Sequence, residues 1–391
     1  MGRFNAIICY IGSNKTEMFM KKANSVRNLH LIMTILLVGL VAHTVGCTGS
    51  QATPRQITAT PAPVTNIPTI APTVTPGPVI WINPLTGLPV DDPTVPLRRP
   101  LAIKISNAPA IVRPQAGISA ADLVFEHYVE GSYTRFTAIF WTHSPPRAGS
   151  VRSARLLDLE LPAMYDALFA YSGASEGVRQ RIAELPFAPR AYEGVTTGEP
   201  LYFRDPGIEA PHNLFVVPDE VWARAAADDP TPPALDGGWM VFDPVPPAAG
   251  RAATRLRIDY GPDLVQWDYD AETGQYRRTV NDEPHRDANN GTQVTADNVV
   301  LIYAHHQEDL SIVESEWQGE KDFSIEIQIW TLGPVVVVRD GQAYDGYWQR
   351  WEEEAMLSFW VDEAATTMIP LKPGNTWFQV VPLDFTEARI E

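Results

Sequence analysis

Two cysteines, Cys9 and Cys47, are the only ones in this chain of 391 residues, and both precede its globular part. Downstream of Cys47 there is no thiol to form a disulfide, bind a metal or attack a substrate. A body of that size without covalent staples has to be held by its apolar core.

The two cysteines also sit where export signals sit. Lys21, Lys22 and Arg27 form a positive leader to Leu29–Val41, an apolar stretch too short for a membrane span. It ends in Thr44-Val45-Gly46-Cys47, which resembles a bacterial lipobox. The expectation is that 1–46 is removed as a signal peptide and that Cys47 takes lipid. The chain then faces outside the cytoplasm in a bacterial cell envelope, joined to the membrane by that anchor. The alternative is an uncleaved anchor over Leu29–Val45. Residues 47–80 repeat Thr and Pro without apolar periodicity. Such a spacer reaches up to about 100 Å at roughly 3 Å per residue, and a glycosylated stalk would have the same composition.

The chain beyond the spacer is long enough for two ordinary domains or one large one. The reading is an α+β fold: a layered sheet-and-helix part over 81–228, a Pro/Gly linker over 229–250, and a mainly antiparallel β part over 251–385. Apolar or alternating runs predict strands at Leu101–Ser106, Arg135–Thr142, Leu168–Ser172, Arg255–Tyr260, Leu264–Tyr269, Gln275–Thr279, Asn298–Ala304, Phe323–Trp330 and Trp377–Val381. Val335–Arg339 and Ala343–Trp348 flank Asp340-Gly341, a primed hairpin turn. Helical spacing marks Leu156–Tyr165, Gly177–Leu185 and Trp351–Leu357, and Ser119 is placed as an N-cap.

The chain carries a formal charge of −17, which argues against nucleic acid as a partner. Against that background, seven arginines and Lys104 fall between Arg98 and Arg155, with only Asp122, Glu126 and Glu130 as acids. The planar guanidinium matches carboxylate and phosphate oxygens two at a time. A basic island in an acidic protein therefore points to an anionic ligand or to an internal ion-pair network.

Several motifs carry a family resemblance. They are Asn83-Pro-Leu-Thr-Gly87, Arg113-Pro-Gln-Ala-Gly117, Ala121 to Glu126, Glu130 to Phe136, Gly149 to Arg155, Ala210-Pro-His-Asn-Leu214, and, later, Asn298-Val-Val, Asp340-Gly-Gln and Leu371 to Trp377. Their order over about 83–383 resembles the YerB-like lipoprotein family, a two-part bacterial domain of unknown function. Ser150 departs from its proline, and Ser132-Tyr133 from a second glycine. The resemblance implies a layered α+β lipoprotein and no established activity.

The candidate ligand-binding residues are Arg113, Glu126, Glu130, Arg135, Arg152, Ser153, Arg155, His212 and Asn213. If a helix begins near Ser153, Arg152 sits at its N-terminal edge, where free N–H groups attract an anion. The preferred reading is a binding or scaffolding protein whose two parts meet at an arginine-lined cleft. Its ligand would be an anionic glycan, phosphate or carboxylate, and a protein partner in the envelope fits the same surface. The first alternative is an envelope hydrolase or phosphoryl transferase with His212 as base, near Ser172, Ser175 or Asp205. The second is a structural lipoprotein in which Arg135 and Arg155 pair internally with Glu126 and Glu130. Binding is preferred to catalysis. No cofactor fingerprint appears. Adjacent His305 and His306 point to opposite faces of a strand, so no metal site is expected. Glu352 to Glu354 reads as a solvated helix face.

Overall fold

The computed structural model describes residues 80–235 and 240–391. The expected signal peptide, Cys47 and nearly all of the spacer lie outside these residues. The described residues belong to one compact unit, and its fold is α+β.

The centre is a twelve-stranded mixed sheet. The first part of the chain supplies β1 (Leu101–Ser106), β2 (Leu123–Tyr128), β3 (Thr134–Phe140), β4 (Leu168–Tyr171) and β5 (Ala191–Glu193). The second part supplies β9 (Asn298–Trp317), β10 (Glu320–Gln328), β11 (Thr331–Arg339), β12 (Gln342–Arg350) and β13 (Thr376–Pro382). The order β12-β11-β9-β13-β2-β3-β1-β4-β5 runs through both halves. At the junction β13 lies parallel to β2, with Phe378 beside Phe125 and Gln379 beside Glu126. The segment 229–250 is thus a passage in the chain but no gap in the sheet.

Both faces of this sheet are covered, which is why its strands read as continuous apolar runs rather than as alternating ones. Leu123, Phe125, Val300, Ile302, Phe378 and Val380 point to one face, under Leu156, Leu161, Tyr165 and α1 (Glu176–Ala183). Val124, Phe136, Val299, Leu301 and Trp377 point to the other. There they meet α2 (Pro218–Asp228) and a smaller antiparallel sheet built on β6 (Arg255–Asp259), β7 (Leu264–Asp270), β8 (Gln275–Val280) and β14 (Ala388–Ile390). Trp377 is the anchor of this layer. It makes edge contacts with Phe136 at 5.4 Å and Trp267 at 5.2 Å, and burying such a ring stabilises a core by about 3 kcal/mol or more.

Most strands form where the pattern places them, and Asp340-Gly341 has positive φ at both residues, as a type I′ turn requires. Four features differ. The strand from Asn298 runs on to Trp317 and folds back through β10 as a long two-stranded arm. The helical spacing of Leu156–Tyr165 is realised as a 3-10 turn, Leu156–Leu159, and one α turn, Leu161–Met164. Trp351–Leu357 is irregular, so Glu352 to Glu354 line no helix. The carbonyls of Glu353 and Ala355 accept hydrogen bonds from Arg350 instead of from a following turn. Ser119 is not an N-cap. Its N–H and hydroxyl both go to Asp287 across the molecule. The helix α2 has no expectation behind it, although Pro218 at its start and Asp219 and Glu220 in its first turn are good helix openers.

Candidate functional site

The residues of the basic island are spread over three environments. The first lies where the two halves meet. Arg113 forks onto Asp263 of the small sheet and bonds Asn107. Glu126, fully buried, accepts from Arg278 Nη2 at 2.7 Å, and from Asn107 and Thr134. Arg278 Nη1 donates to His285 Nδ1 at 2.8 Å. The His285 Nε2–H then donates to Gln115, whose amide reaches the Ser106 carbonyl. Phe136, Trp267 and Trp377 surround the guanidinium of Arg278 at 5.1 to 5.7 Å. Burial and the Arg278 charge push His285 well below its ordinary value, so it stays neutral. At these residues the expected open cleft between the parts is instead a closed belt of paired side chains, in which Arg278 Nε and Trp267 Nε1 are buried without an acceptor among the described residues. Gly117 belongs to it: at φ +82° a Cβ would meet the Arg147 carbonyl at 2.6 Å.

The second environment lies under the arm. Arg155 grips Glu130 through Nε, at 2.6 Å, and Nη2, and its Nη1 approaches Glu314 of β9 at 3.3 Å. Arg135 also reaches Glu130, at 3.1 Å, and donates to the Ser153 carbonyl. Glu126 is therefore a partner of neither arginine; the second carboxylate, Glu314, pairs with Arg155. Burial opposes ionisation of Glu130, but the hydrogen bonds from Arg155 and the charges of Arg135 and Arg155 outweigh it and hold the carboxyl down to about 2. Burial and the neighbouring Arg155 bring Arg135 down to about 9. Beside them, fully buried Lys104 Nζ donates to His127 Nε2 at 2.6 Å, to Thr137 and to Asp158. A cavity of about 310 Å³ opens next to this cluster, lined by Glu130, Tyr133, Arg135, Pro109 and Asp322 of the arm.

The third environment is the edge occupied by Arg152. No helix begins at Ser153. The 3-10 turn starts at Leu156, the Arg155 N–H is taken by Asp158, and the Arg152 N–H by the Lys104 carbonyl. The anion-binding helix terminus expected there does not form. Arg152 is half-buried. Its side chain donates to Ser106 Oγ at 3.2 Å and to His212 Nδ1 at 2.6 Å, and it makes no ion pair with a carboxylate among the described residues. His212 is thereby an acceptor at Nδ1, and partial burial and the Arg152 charge lower its pKa. Its neighbour Asn213 bonds Arg204 and the Asp205 carbonyl.

Among the described residues no hydrogen bond links the His212 imidazole to a serine or a carboxylate; its backbone N–H donates to the Glu209 carbonyl. The Ser175 hydroxyl donates to Glu314, Asp205 holds Arg147, and the Ser172 backbone carries Arg152 and Val195. Among the described residues no group of three or more His, Cys, Asp or Glu is placed to hold a metal ion. No helix among them is long and apolar enough to cross a membrane.

Of the candidate residues, Arg135, Arg152, Ser153, Arg155 and His212 lie in one neighbourhood. Arg113 and Glu126 lie apart from them, at the joint. The sequence offers no local signal for the partners Asp263, Arg278 and Glu314, which arrive from more than a hundred residues away.

Comparison with known proteins agrees with this architecture. The N-terminal domain model of the protein of unknown function DUF3048 matches residues 85–231, and the C-terminal domain model of the same family matches 256–378. The chain is 28% identical over 311 residues to "Putative lipoprotein YerB" of Bacillus subtilis (strain 168), covering 78% of this chain and 88% of that protein. The crystal structure of YerB protein from Bacillus subtilis superposes with a TM-score of 0.65 at 26% identity, over 80% of this chain and 99% of that one. Two family halves matched in order, on a sheet that runs through both, make this chain a member of the two-part, YerB-like DUF3048 family.

Proposed function

We propose that this chain is a lipid-anchored protein of the bacterial envelope that binds an anionic group at Arg152, beside Arg135 and the cavity under the arm. The lipid anchor is supported by the Cys47 motif and by the name of the Bacillus subtilis relative, a lipoprotein. The observation behind the binding site is a charge imbalance. Lys104, Arg135, Arg152 and Arg155 crowd together, and three carboxylates, Asp158, Glu130 and Glu314, answer them. His127 adds no charge, because burial and the Lys104 ammonium bring it down to about 3. The surplus falls on Arg152, whose partners are neutral. A phosphate or carboxylate there would gain charge-assisted hydrogen bonds in a partly desolvated site. The ligand class is an anionic envelope glycan or other phosphate or carboxylate compound, held by recognition without chemistry.

The test is calorimetric titration of the intact protein in phosphatidylcholine nanodiscs with inorganic phosphate, at low salt. Saturable binding that Arg152→Ala weakens about tenfold or more supports the site. Phosphate that fails to bind, or binds equally to that variant, leaves the arginines as purely structural. A Ser–His relay is disfavoured, since Arg152 engages the Nδ1 lone pair of His212, and Nε2, which then carries the hydrogen, has none with which to take a serine proton.

A further inference from the structure

Arg98 is the other arginine of the island without a carboxylate partner among the described residues, and it stands in different surroundings. Its guanidinium carbon lies over the ring of Trp222 of α2, 3.6 Å from the centroid. Nη2 donates to the Trp141 carbonyl at 2.6 Å, while Nε is buried with no acceptor. The carboxylates near enough to feel its charge are spent on neutral donors: Asp92 on Thr94, Asp219 on Ser144, and buried Asp122 on Asn83, Trp141 and Thr142. Arg99, next in sequence, is held by Asp166, with Asp229 at 3.9 Å on the rim. Arg98, Arg99 and Asp229 border a cavity of about 370 Å³ whose remaining wall is mostly apolar, from Leu97, Leu168, Trp222 and Ala226, with Thr94 and Thr231 at its edge.

We infer that this cavity is a second binding site, for a small amphiphilic anion. A carboxylate or phosphate head meets Arg98, and an alkyl group lies against Leu97, Leu168 and Trp222. Each part answers a physical demand. A partly desolvated guanidinium gains most from an ionised acceptor, and the apolar wall gains about 25 cal/mol per Å² covered. A purely apolar ligand would cover Arg98 without giving it an acceptor, which is costly. A cationic amphiphile would meet a Trp222 face already occupied by positive charge. The site stands apart from Arg152 and does not depend on the function proposed for it.

The experiment titrates the intact protein in nanodiscs, with empty nanodiscs as the blank, using octyl phosphate, octanoate, octylammonium and inorganic phosphate. The alkyl anions are expected to saturate one site, and comparison of the two tells a phosphate from a carboxylate preference. Arg98→Gln should weaken binding about tenfold or more, and Ala226→Trp, which fills the cavity from an exposed helix position, should do the same. Arg152→Ala should leave it unchanged. Absence of saturable binding, octylammonium binding as tightly as octyl phosphate, or Arg98→Gln binding like the parent would each overturn the assignment. Thermal unfolding of both variants confirms that they fold, and the glutamine variant decides alone if the tryptophan variant does not.

Discussion

Arg278 and Arg152 show one type of side chain in two different settings in one molecule. Arg278 is fully buried between aromatic rings, and Glu126 and His285 answer it within 2.8 Å. Arg152 is half-buried and meets a hydroxyl and an imidazole nitrogen. The first arrangement closes the joint between the two family halves and pairs the Arg278 charge with a carboxylate inside the fold. The second leaves a charge whose neighbours do not neutralise it. An arginine-rich motif is therefore not itself a binding site; what separates the two cases is whether a carboxylate arrives from elsewhere in the fold.

The contrast can be broken most forcefully at the joint. Glu126→Ala strands the Arg278 charge in the interior and should cost about 3–5 kcal/mol in urea unfolding. A loss below about 1 kcal/mol would mean that the belt is not what joins the halves. Next comes Glu130, whose carboxyl titrates near 2 in the fold, below its ordinary range. A depressed carboxyl contributes stability that is present above the unfolded value, about 4.3, and is lost as pH falls through the folded one. The parent should thus exceed Glu130→Gln by about 2–3 kcal/mol at neutral pH, and the gap should close between about pH 5 and pH 2. Equal stabilities at pH 7 would remove Glu130 from the network. Arg152→Ala should cost under about 1 kcal/mol, since no partner carboxylate is stranded. A larger loss would move Arg152 into the structural class. The smallest effect is expected for His212→Ala, within about 0.5 kcal/mol, with phosphate binding reduced less than by loss of Arg152. Abolished binding would instead make the imidazole a direct ligand.

Much of the frame is legible in the residues. The apolar run Arg135–Thr142 becomes β3 because a sheet covered on both faces needs no polar alternation. Asp340-Gly341 makes its hairpin because few pairs tolerate two positive φ values. Where prediction fails, a tertiary partner is the cause. Trp351–Leu357 has helical spacing, but Arg350 takes its carbonyls. Ser119 looks like a cap, but Asp287 claims both its donors. Glu126 has Arg135 and Arg155 close in sequence, yet β13 and β8 bring Arg278 to it.

The residues alone determine the lipobox-like motif, the absence of disulfides from the body, the α+β class and the family, since each rests on composition, local spacing or short motifs. The sharing of one sheet by both halves, and the identity of the arginines left without a carboxylate, are decided only in three dimensions. Pairing energy depends on distance and burial. The carboxylates that quench Arg113 and Arg155 come from Asp263 and Glu314, brought close only by the packing of the small sheet and the long arm.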